Sequence, residues 1–288
     1  MRRQPLRLNY RKGVTFQQAV RPRPRVALIT GGTSGIGLAF ADLLAAEGCD
    51  LVLVARHADA LARTAARFPG VHVETIPADL TDPKGVDAVL ARLDSPDRPV
   101  DVLVNNAGQG LYASLASRDT AALERGISLM ATVPVKLGAH AAAAMKQRGG
   151  GMIINISSIN SFVPFGLYSA IKALVRVWSE SLAVELTGTG VSCTAVLPGW
   201  VHSNFHKNAG GKRSNIPDAL WLEPDVVARE GLAAAKEGRL RCTPSIRYKV
   251  IGWFAEHAPR GIVAAVSRRI NGASPVQNGE RNGEGAVR

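Results

Sequence analysis

From residue 25 onward, apolar runs of strand length alternate with stretches of helical spacing. The strand candidates are nearly continuous in Val, Ile and Leu, as expected of strands covered on both faces. They are Val26–Ile29, Leu51–Ala55, Val71–Ile76, Val100–Val104, Met152–Ile156 and Val191–Leu197. The helices predicted between them are Ile36–Glu47, Ala58–Phe68, Lys84–Leu93, Ala121–Arg148 and Leu167–Thr187. This alternation predicts an α/β fold with a doubly wound parallel sheet in three layers, α/β/α.

The alternation stops after Pro198. A polar, glycine-containing segment follows, and a helix restarts at about Pro224–Glu237. A loop of this length in a compact domain is usually a lid or a binding loop. Because it follows the last clear strand, we expect the loop at about 199–222 to cover the carboxyl ends of the sheet, where ligands bind in such folds.

The positive charge of the chain is concentrated at its ends. The net charge is +12 over 288 residues, yet residues 1–25 hold eight Lys or Arg and no acid, and residues 236–288 hold ten against four. The middle of the chain is close to neutral. We therefore expect solvated ends and no specific nucleic-acid site, although weak contact with an anionic membrane surface or RNA stays open.

The changes in charge and composition along the sequence divide the chain into four parts. A basic arm at 1–24 and a tail at 271–288 are expected to be disordered, because they have little to bury. A nucleotide-binding domain is expected at 25–245. Residues 246–270 form a basic amphipathic helical region, which could close the core, lie on a membrane or pack against a second subunit.

Three widely spaced cysteines give no disulfide or metal-ligand pattern, and the histidines also lack metal-ligand spacing. The most apolar late segment, Ile246–Val266, is interrupted by Arg247, Lys249, Glu256 and Arg260, which argues against a membrane-spanning helix there. The arginine-rich arm is similar to an organelle-import leader, but it contains no serine. A reduced, cytoplasmic protein without a metal is the expectation.

A glycine-rich turn follows the first predicted strand directly. Glycines at Gly31, Gly35 and Gly37 would let the backbone approach a pyrophosphate, and the next helix would offer unpaired N–H groups to it. After the second strand the chain has Arg56 and no acid. A guanidinium suits a 2′-phosphate better than a free ribose diol, so NADP(H) is favoured over NAD(H).

Tyr168 and Lys172 are four residues apart on a predicted helix, so their side chains lie on one face. A cation beside a phenol favours the phenolate and lowers the phenol pKa from its free value near 10. That makes tyrosine a workable proton donor near neutral pH. Together with a dinucleotide-binding turn, this pair predicts a carbonyl/alcohol oxidoreductase.

In this combination the chain resembles the short-chain dehydrogenase/reductase family over roughly residues 25–245. The motifs are Thr30-Gly31…Gly35-Ile36-Gly37, Asp79-Leu80, Asn105-Asn106-Ala107-Gly108, Ser157-Ser158, Tyr168…Lys172 and Pro198-Gly199. The resemblance implies a Rossmann-type sheet of about seven strands and hydride transfer between a nicotinamide cofactor and a carbonyl or alcohol carbon. It also implies Tyr168 as proton donor, Lys172 on the nicotinamide ribose and Ser158 on the substrate carbonyl.

The resemblance further implies a set of cofactor contacts. These are Gly31, Thr33, Ser34, Gly35, Ile36, Gly37, Arg56, Asp79, Leu80, Asn106, Ala107, Gly108, Tyr168, Lys172, Pro198, Gly199, Val201 and Ser203. Asp79 would lie near the adenine, and the hydroxyl of Ser203 would hold the nicotinamide carboxamide.

The chain departs from the family pattern at two places. Met130 occupies the position where the family usually has an asparagine that holds a water in the proton relay, and a thioether cannot donate a hydrogen bond. The relay is then weakened, lost, or rerouted through a group such as Ser128. The interval from Ser158 to Tyr168 is also about three residues shorter than usual, which should alter access to the substrate.

Two functions stay open at this point. The first is an NADPH-dependent oxidoreductase that reduces a hydrophobic ketone or aldehyde, or oxidises the corresponding alcohol, and the aromatic residues after Pro198 indicate the hydrophobic substrate. Its family is commonly oligomeric through its long helices. The second is an NADP(H)-binding protein with weak or no catalysis that serves as a sensor or scaffold.

Overall fold

The computed structural model describes residues 25–111, 114–202 and 217–271. The predicted arm at 1–24, the predicted tail beyond Asn271, Ser203 and the middle of the predicted loop lie outside the described residues. The strands are β1 Val26–Thr30, β2 Asp50–Ala55, β3 Val73–Pro77, β4 Val102–Asn105, β5 Gly151–Ile156, β6 Val191–Val196, β7 Trp200–Val201, β8 Trp221–Leu222 and β9 Arg241–Cys242.

Seven parallel strands form the central sheet in the order β3-β2-β1-β4-β5-β6-β9, and β7 pairs with β8 separately. The order reverses direction between β1 and β4, which opens a crevice at the carboxyl ends of these two strands. All six predicted strands are present within a few residues. The seventh, β9, is only two residues long, so its hydrophobic pattern was too short to predict from the sequence.

The helices cover both faces of this sheet. They are α1 Gly35–Ala46, α2 Ala58–Ala65, α3 Pro83–Asp94, α4 Ala121–Ile127, α5 Val133–Gln147, α6 Gly166–Glu185, α7 Pro224–Lys236, α8 Ile246–His257 and α9 Arg260–Asn271. Alternate strand residues point to opposite faces, so Ala27 and Ile29 belong to one core cluster while Val26 and Leu28 belong to the other. The first cluster includes buried side chains of α1, α2, α7 and α8, and the second those of α3 and α5, with α6 packed against it. The predicted three-layer, doubly wound α/β fold is confirmed.

The predicted helix Ala121–Arg148 is interrupted in its middle. A π-helical turn at Ser128–Thr132 separates α4 from α5. Such turns recur at functional sites, and this one contains Met130. The whole segment Ala121–Gln147 is long and apolar enough to cross a membrane by length and composition. However, its Leu137 and Met145 are buried in the core against the sheet, as in a core helix.

The C-terminal part of the described chain is two helices, α8 and α9. Tyr248 and Gly252 of α8 and Val263 and Ser267 of α9 are the buried positions. They recur every four residues, so each helix rests on the domain along one narrow stripe. The opposite faces of both helices point to solvent.

Candidate active site

The glycine-rich turn after β1 has the shape of a phosphate cradle. Gly31 and Gly35 have φ values of +68° and +53°, which residues with a Cβ rarely adopt. A Cβ on Gly37 would lie 2.3 Å from the carbonyl oxygen of Gly31. Any larger residue at Gly37 would therefore push the turn away from the helix. The geometry requires glycine at these positions, as the sequence predicted.

Asn106 ties the end of β4 to this turn. Its side-chain amide donates to the carbonyl oxygens of Thr30 and Gly31, at 3.0 and 3.2 Å. The hydroxyl of Thr30 accepts hydrogen bonds in return from the backbone N–H groups of Asn106 and Ala107. The two sides of the crevice are thus locked together. Thr30, which was not among the predicted contacts, is a central part of this lock.

Helix α1 begins at the turn with its amino terminus facing the crevice. Ser34 is the N-cap residue, and its side chain makes no capping hydrogen bond. The first N–H groups of the helix are therefore available to an anion, which the helix dipole also favours. Ser34 is exposed, and Thr33 and Ile36 are partly exposed. These residues fit a pyrophosphate.

Arg56 and Asp79 follow β2 and β3 and lie close together. The carboxylate of Asp79 accepts hydrogen bonds from the backbone N–H and the hydroxyl of Thr81, both at 2.8 Å. These bonds, with a smaller contribution from the charge of Arg56, hold the pKa of Asp79 below its ordinary value. The side chain of Arg56 is exposed, whereas Leu80 is buried in the core. Leu80 can therefore contribute to a ligand site only through its backbone.

Lys172 is almost completely buried near the carboxyl end of β5. Its ammonium donates a hydrogen bond of 2.8 Å to the carbonyl oxygen of Ile156, the last residue of β5. Burial lowers the pKa of Lys172 from 10.5 to about 8. The Nζ atom lies 5.6 Å from the centroid of the Tyr168 ring. The structure thus brings the predicted Tyr–Lys pair together, one turn apart at the start of α6.

Two serines fix the same region. The hydroxyl of Ser157 donates to the backbone carbonyl of Lys172 at 2.7 Å and so anchors α6 to the end of β5. Ser158 caps a 3₁₀ turn at Ile159–Phe162, because its Oγ accepts from the N–H of Asn160 at 3.1 Å. The Ser158 hydroxyl also donates to the carbonyl oxygen of Pro198 at 3.5 Å. This hydrogen bond is long, so a better acceptor could replace it.

Met130 is buried beside the predicted catalytic tyrosine. It forms a small apolar cluster with Ala131 and Ile171, against which Tyr168 packs. Its sulfur would be 3.5 Å from a Cβ placed on Gly108, so the thioether lies along the exposed Gly108 backbone at the end of β4. An apolar side chain therefore fills the predicted relay position.

Tyr248 of α8 fastens both ends of the loop that follows β6. Its hydroxyl accepts from the N–H of Trp200 at 3.1 Å and donates to the carbonyl of Leu220 at 2.6 Å. Its ring covers Gly199 so closely that a Cβ there would lie 1.9 Å from the ring. The strand pair β7–β8, with Val201 buried, holds the same two ends.

Sequence reasoning missed the role of Tyr248. A single tyrosine in a helix gives no local signal of a contact with residues 28 and 48 positions away. Among the residues that the structure describes, no group of three or more His, Cys, Asp or Glu side chains could hold a metal ion.

The fold and this site define a nucleotide-binding α/β protein with a tyrosine–lysine pair at the crevice. A family model described as short chain dehydrogenase matches residues 25–214. The chain belongs to the short-chain dehydrogenase/reductase family, and it is an oxidoreductase of that family.

Three relatives illustrate this similarity. An uncharacterized oxidoreductase of Staphylococcus aureus is 31% identical over 213 residues, which are 73% of this chain and 90% of that protein. A short-chain dehydrogenase from Sphingobium yanoikuyae, solved in complex with NADPH, is 33% identical with a TM-score of 0.72, covering 92% of this chain and 97% of that chain. A bulky-bulky ketone specific alcohol dehydrogenase from Comamonas testosteroni is 30% identical with a TM-score of 0.69, covering 80% and 91%.

Proposed function

We propose that this protein is an NADPH-dependent oxidoreductase that interconverts a carbonyl and an alcohol on a hydrophobic substrate. The observation that carries the proposal is the buried ammonium of Lys172, fixed on the Ile156 carbonyl at 2.8 Å and 5.6 Å from the Tyr168 ring. Burying a cation without a carboxylate is costly, so a protein retains it where the charge is used.

The cofactor is proposed to be NADP(H). The glycine cradle, the amino terminus of α1 and the lock around Asn106 fit a dinucleotide pyrophosphate. Arg56 would hold the 2′-phosphate, and Asp79 with the Leu80 backbone would border the adenine. Gly108, Pro198, Gly199 and Val201 would line the nicotinamide half. The NADPH complex of the Sphingobium yanoikuyae relative supports this assignment.

In the reducing direction, the hydride for the carbonyl carbon would come from the NADPH that these residues would hold. Tyr168 donates its hydroxyl proton to the carbonyl oxygen as negative charge develops there. The Lys172 ammonium, held by Ile156, favours the tyrosinate that remains and orients the ribose. Ser158 turns its hydroxyl from Pro198 to the same oxygen and shares its charge. In the oxidising direction Tyr168 acts as the base.

The substrate is proposed to be apolar and bulky. Trp200 and Trp221 lie side by side on the paired strands β7 and β8 at the two ends of the loop after β6. His202 stacks on Trp221 with the ring centroids 4.9 Å apart, which extends the flat surface. The ketone specificity of the Comamonas testosteroni relative is of the same kind.

A test combines purified protein, NADPH and a panel of bulky aryl and alkyl ketones, with cofactor oxidation as the readout. The protein should oxidise NADPH with at least one ketone, and Tyr168→Phe should lower the rate by about 10²-fold or more. NADPH binding, measured by fluorescence, should survive the substitution. Equal turnover by Tyr168→Phe would disprove the assigned role of the tyrosine.

A second candidate function is an NADP(H)-binding sensor or scaffold with little catalysis. It is favoured by the apolar cluster around Met130, which places no hydrogen-bonding side chain at the predicted relay position. NADPH binding without turnover on the whole ketone panel would support this candidate against the first.

The protein is further proposed to be a cytoplasmic homo-oligomer. Leu174, Val177 and Val184 leave apolar surface exposed along the long helix α6, and Ile127 does so on α4. Light scattering on the purified protein would test this assembly, and a monomer at all concentrations would contradict it.

A further inference from the structure

Helix α8 is apolar on the face that points away from the domain. Ile246, Val250, Trp253 and Phe254 are 78%, 51%, 56% and 57% exposed. These positions lie opposite the buried Tyr248 on the helical wheel. A helix that only closes a core would carry polar residues there. Such a face is therefore built for contact with something outside the described chain.

The adjoining helix α9 also exposes apolar side chains, next to its buried positions. Ile262 and Val266, one turn apart, are 58% and 52% exposed, whereas Val263 and Ser267 are buried. Its last turn carries Arg268 and Arg269, both exposed. We call the outward residues Ile246, Val250, Trp253, Phe254, Ile262 and Val266 the α8–α9 face.

Positive charge borders this face. Residues 246–271 contain five Lys or Arg and one acid, Glu256. Glu256 is turned towards the domain and pairs with Arg241 at 2.9 Å, so it does not offset the outer charge. On α8, Arg247 and Lys249 lie on either side of the apolar stripe, where Arg247 donates to the Ala219 carbonyl and Lys249 pairs with Glu230. The exposed Arg268 and Arg269 on α9 therefore contribute most of the outer charge. Exposed Trp and Phe with flanking basic side chains are typical of helices that lie in a membrane interface.

We propose that the α8–α9 face docks the protein on an anionic lipid bilayer, with the helices parallel to the membrane plane. Charge complementarity favours this partner over a second copy of the chain. A symmetric contact between two such faces would bring their Arg and Lys borders together, in a chain whose net charge is already +12. An anionic headgroup layer attracts exposed Arg and Lys side chains at this border.

Docking would also bring the candidate active site close to the bilayer. A Cβ on Gly252 would lie 2.7 Å from Ile159, so α8 packs directly on the turn that follows Ser158. Arg260 donates to the carbonyl of Phe162 at 3.4 Å, and Tyr248 holds both ends of the loop after β6. The bilayer would be about one helix diameter, roughly 10 Å, from these walls. This consequence rests on the proposed function, but the docking itself does not.

Vesicle sedimentation tests the docking. The full-length protein should bind vesicles of equal parts phosphatidylglycerol and phosphatidylcholine, and bind pure phosphatidylcholine far less. High salt should weaken the binding. The double variant W253S/F254S should lower the partition coefficient about tenfold or more, since both rings lose their apolar contact. R268E/R269E should lower the partition coefficient by a similar factor, because it replaces two positive charges with two negative ones.

Matched controls separate the alternatives. L115S removes an apolar side chain of comparable exposure elsewhere on the surface and should bind like the wild type. Tyr168→Phe should also bind normally, which separates docking from catalysis. The proposal would be overturned if W253S/F254S bound vesicles as well as the wild type, or if binding were lost only when Arg2, Arg3, Arg7 and Arg11 are changed to Gln. It would also be overturned if W253S/F254S turned a dimer into a monomer and this monomer bound vesicles as the wild type does, because the face would then be a contact between two copies of the chain.

Discussion

The ammonium of Lys172 is held by a backbone carbonyl, that of Ile156, at 2.8 Å. The carbonyl belongs to the last residue of β5, whereas Lys172 is on α6, so the bond joins a strand end to the helix that carries Tyr168. A carbonyl dipole stabilises the cation less than a carboxylate would. Desolvation therefore lowers the pKa of Lys172 to about 8, and the charge stays available to a neighbouring oxygen.

The first prediction follows from this pKa. Below pH 8 the lysine is protonated in both the folded and the unfolded protein, and the folded state bears the full cost of burying the charge, about 3 kcal/mol. Between pH 8 and 10.5 the unfolded state binds more protons, so the contribution of Lys172 makes the protein more stable as pH rises. Lys172→Met removes this cost. Without cofactor, the variant should be more stable than wild type at pH 7, and the difference should shrink towards pH 10.

Denaturant unfolding of both proteins across this range measures the effect. The difference between the two is the relevant quantity, because burial raises the pKa of Cys193 to about 12 and that of Cys242 to about 11. In the folded protein these thiols stay protonated, whereas in the unfolded chain they ionise above pH 9. Their burial therefore lowers the free energy of unfolding above pH 9 by the same amount in wild type and variant. A difference that does not change with pH would show that the folded lysine does not titrate in this window.

Arg56 should decide between the two nicotinamide cofactors. Charge-assisted hydrogen bonds to a 2′-phosphate contribute about 1.5–3 kcal/mol, so Arg56→Ala should raise the KM for NADPH about 10- to 100-fold. The KM for NADH should change little. The control is Arg63→Ala, which removes another exposed arginine from the following helix α2. If Arg56→Ala changed the KM for NADPH and the KM for NADH by the same factor, a contact between Arg56 and the 2′-phosphate would be ruled out.

Met130 should act through its shape and not through hydrogen bonding. Met130→Leu keeps a similar volume in the cluster with Ala131 and Ile171, so it should cost less than about 1.5 kcal/mol and keep most of the turnover. Met130→Asn places an amide in the same apolar cluster and should cost about 1–3 kcal/mol of unfolding free energy. Loss of turnover in Met130→Leu at unchanged stability would show that the sulfur contributes as a hydrogen-bond acceptor and not only through its shape.

Tyr248 should control the loop after β6. Tyr248→Phe keeps the ring over Gly199 but leaves the Trp200 N–H and the Leu220 carbonyl without their partner, at a cost of about 1–3 kcal/mol. We expect faster hydrogen exchange at Trp200 and a higher KM for the ketone.

The control for this change is Lys249→Ala, which removes only an exposed ion pair with Glu230 and should cost less than about 1 kcal/mol. Unchanged exchange at Trp200 in Tyr248→Phe would mean that the strand pair β7–β8 alone fastens the loop.

The regular part of the fold could be predicted because its signals are local. A strand such as β5 is six consecutive buried residues, and a turn such as Gly31–Gly37 has a backbone conformation that demands glycine. The π-helical turn at Ser128–Thr132 gave no such signal, because its residues fit an ordinary helix equally well. The strand β9 is too short to have a pattern.

The contacts that shape the site join residues far apart in the chain. Lys172 bonds to Ile156 and Asn106 bonds to Gly31 because the sheet order places the ends of these strands together. The sequence motifs show that these residues are present, but not which of them are in contact. Tyr248 bonds to Trp200 across 48 positions, which no local pattern encodes. Ser203 lies outside the described residues, so its contact with the carboxamide stays a prediction.

The described residues on either side of the segment 203–216 are held next to each other, because Trp200 pairs with Trp221 and the Tyr248 hydroxyl bonds to both Trp200 and Leu220. Changing the length of a segment whose ends are already joined costs little chain entropy and leaves the parallel sheet untouched. The segment can therefore be replaced by others of different length. Grafting segments of other lengths in place of residues 204–216, which keeps Val201 and Ser203, is a direct route to new ketone preferences without redesigning the nucleotide half.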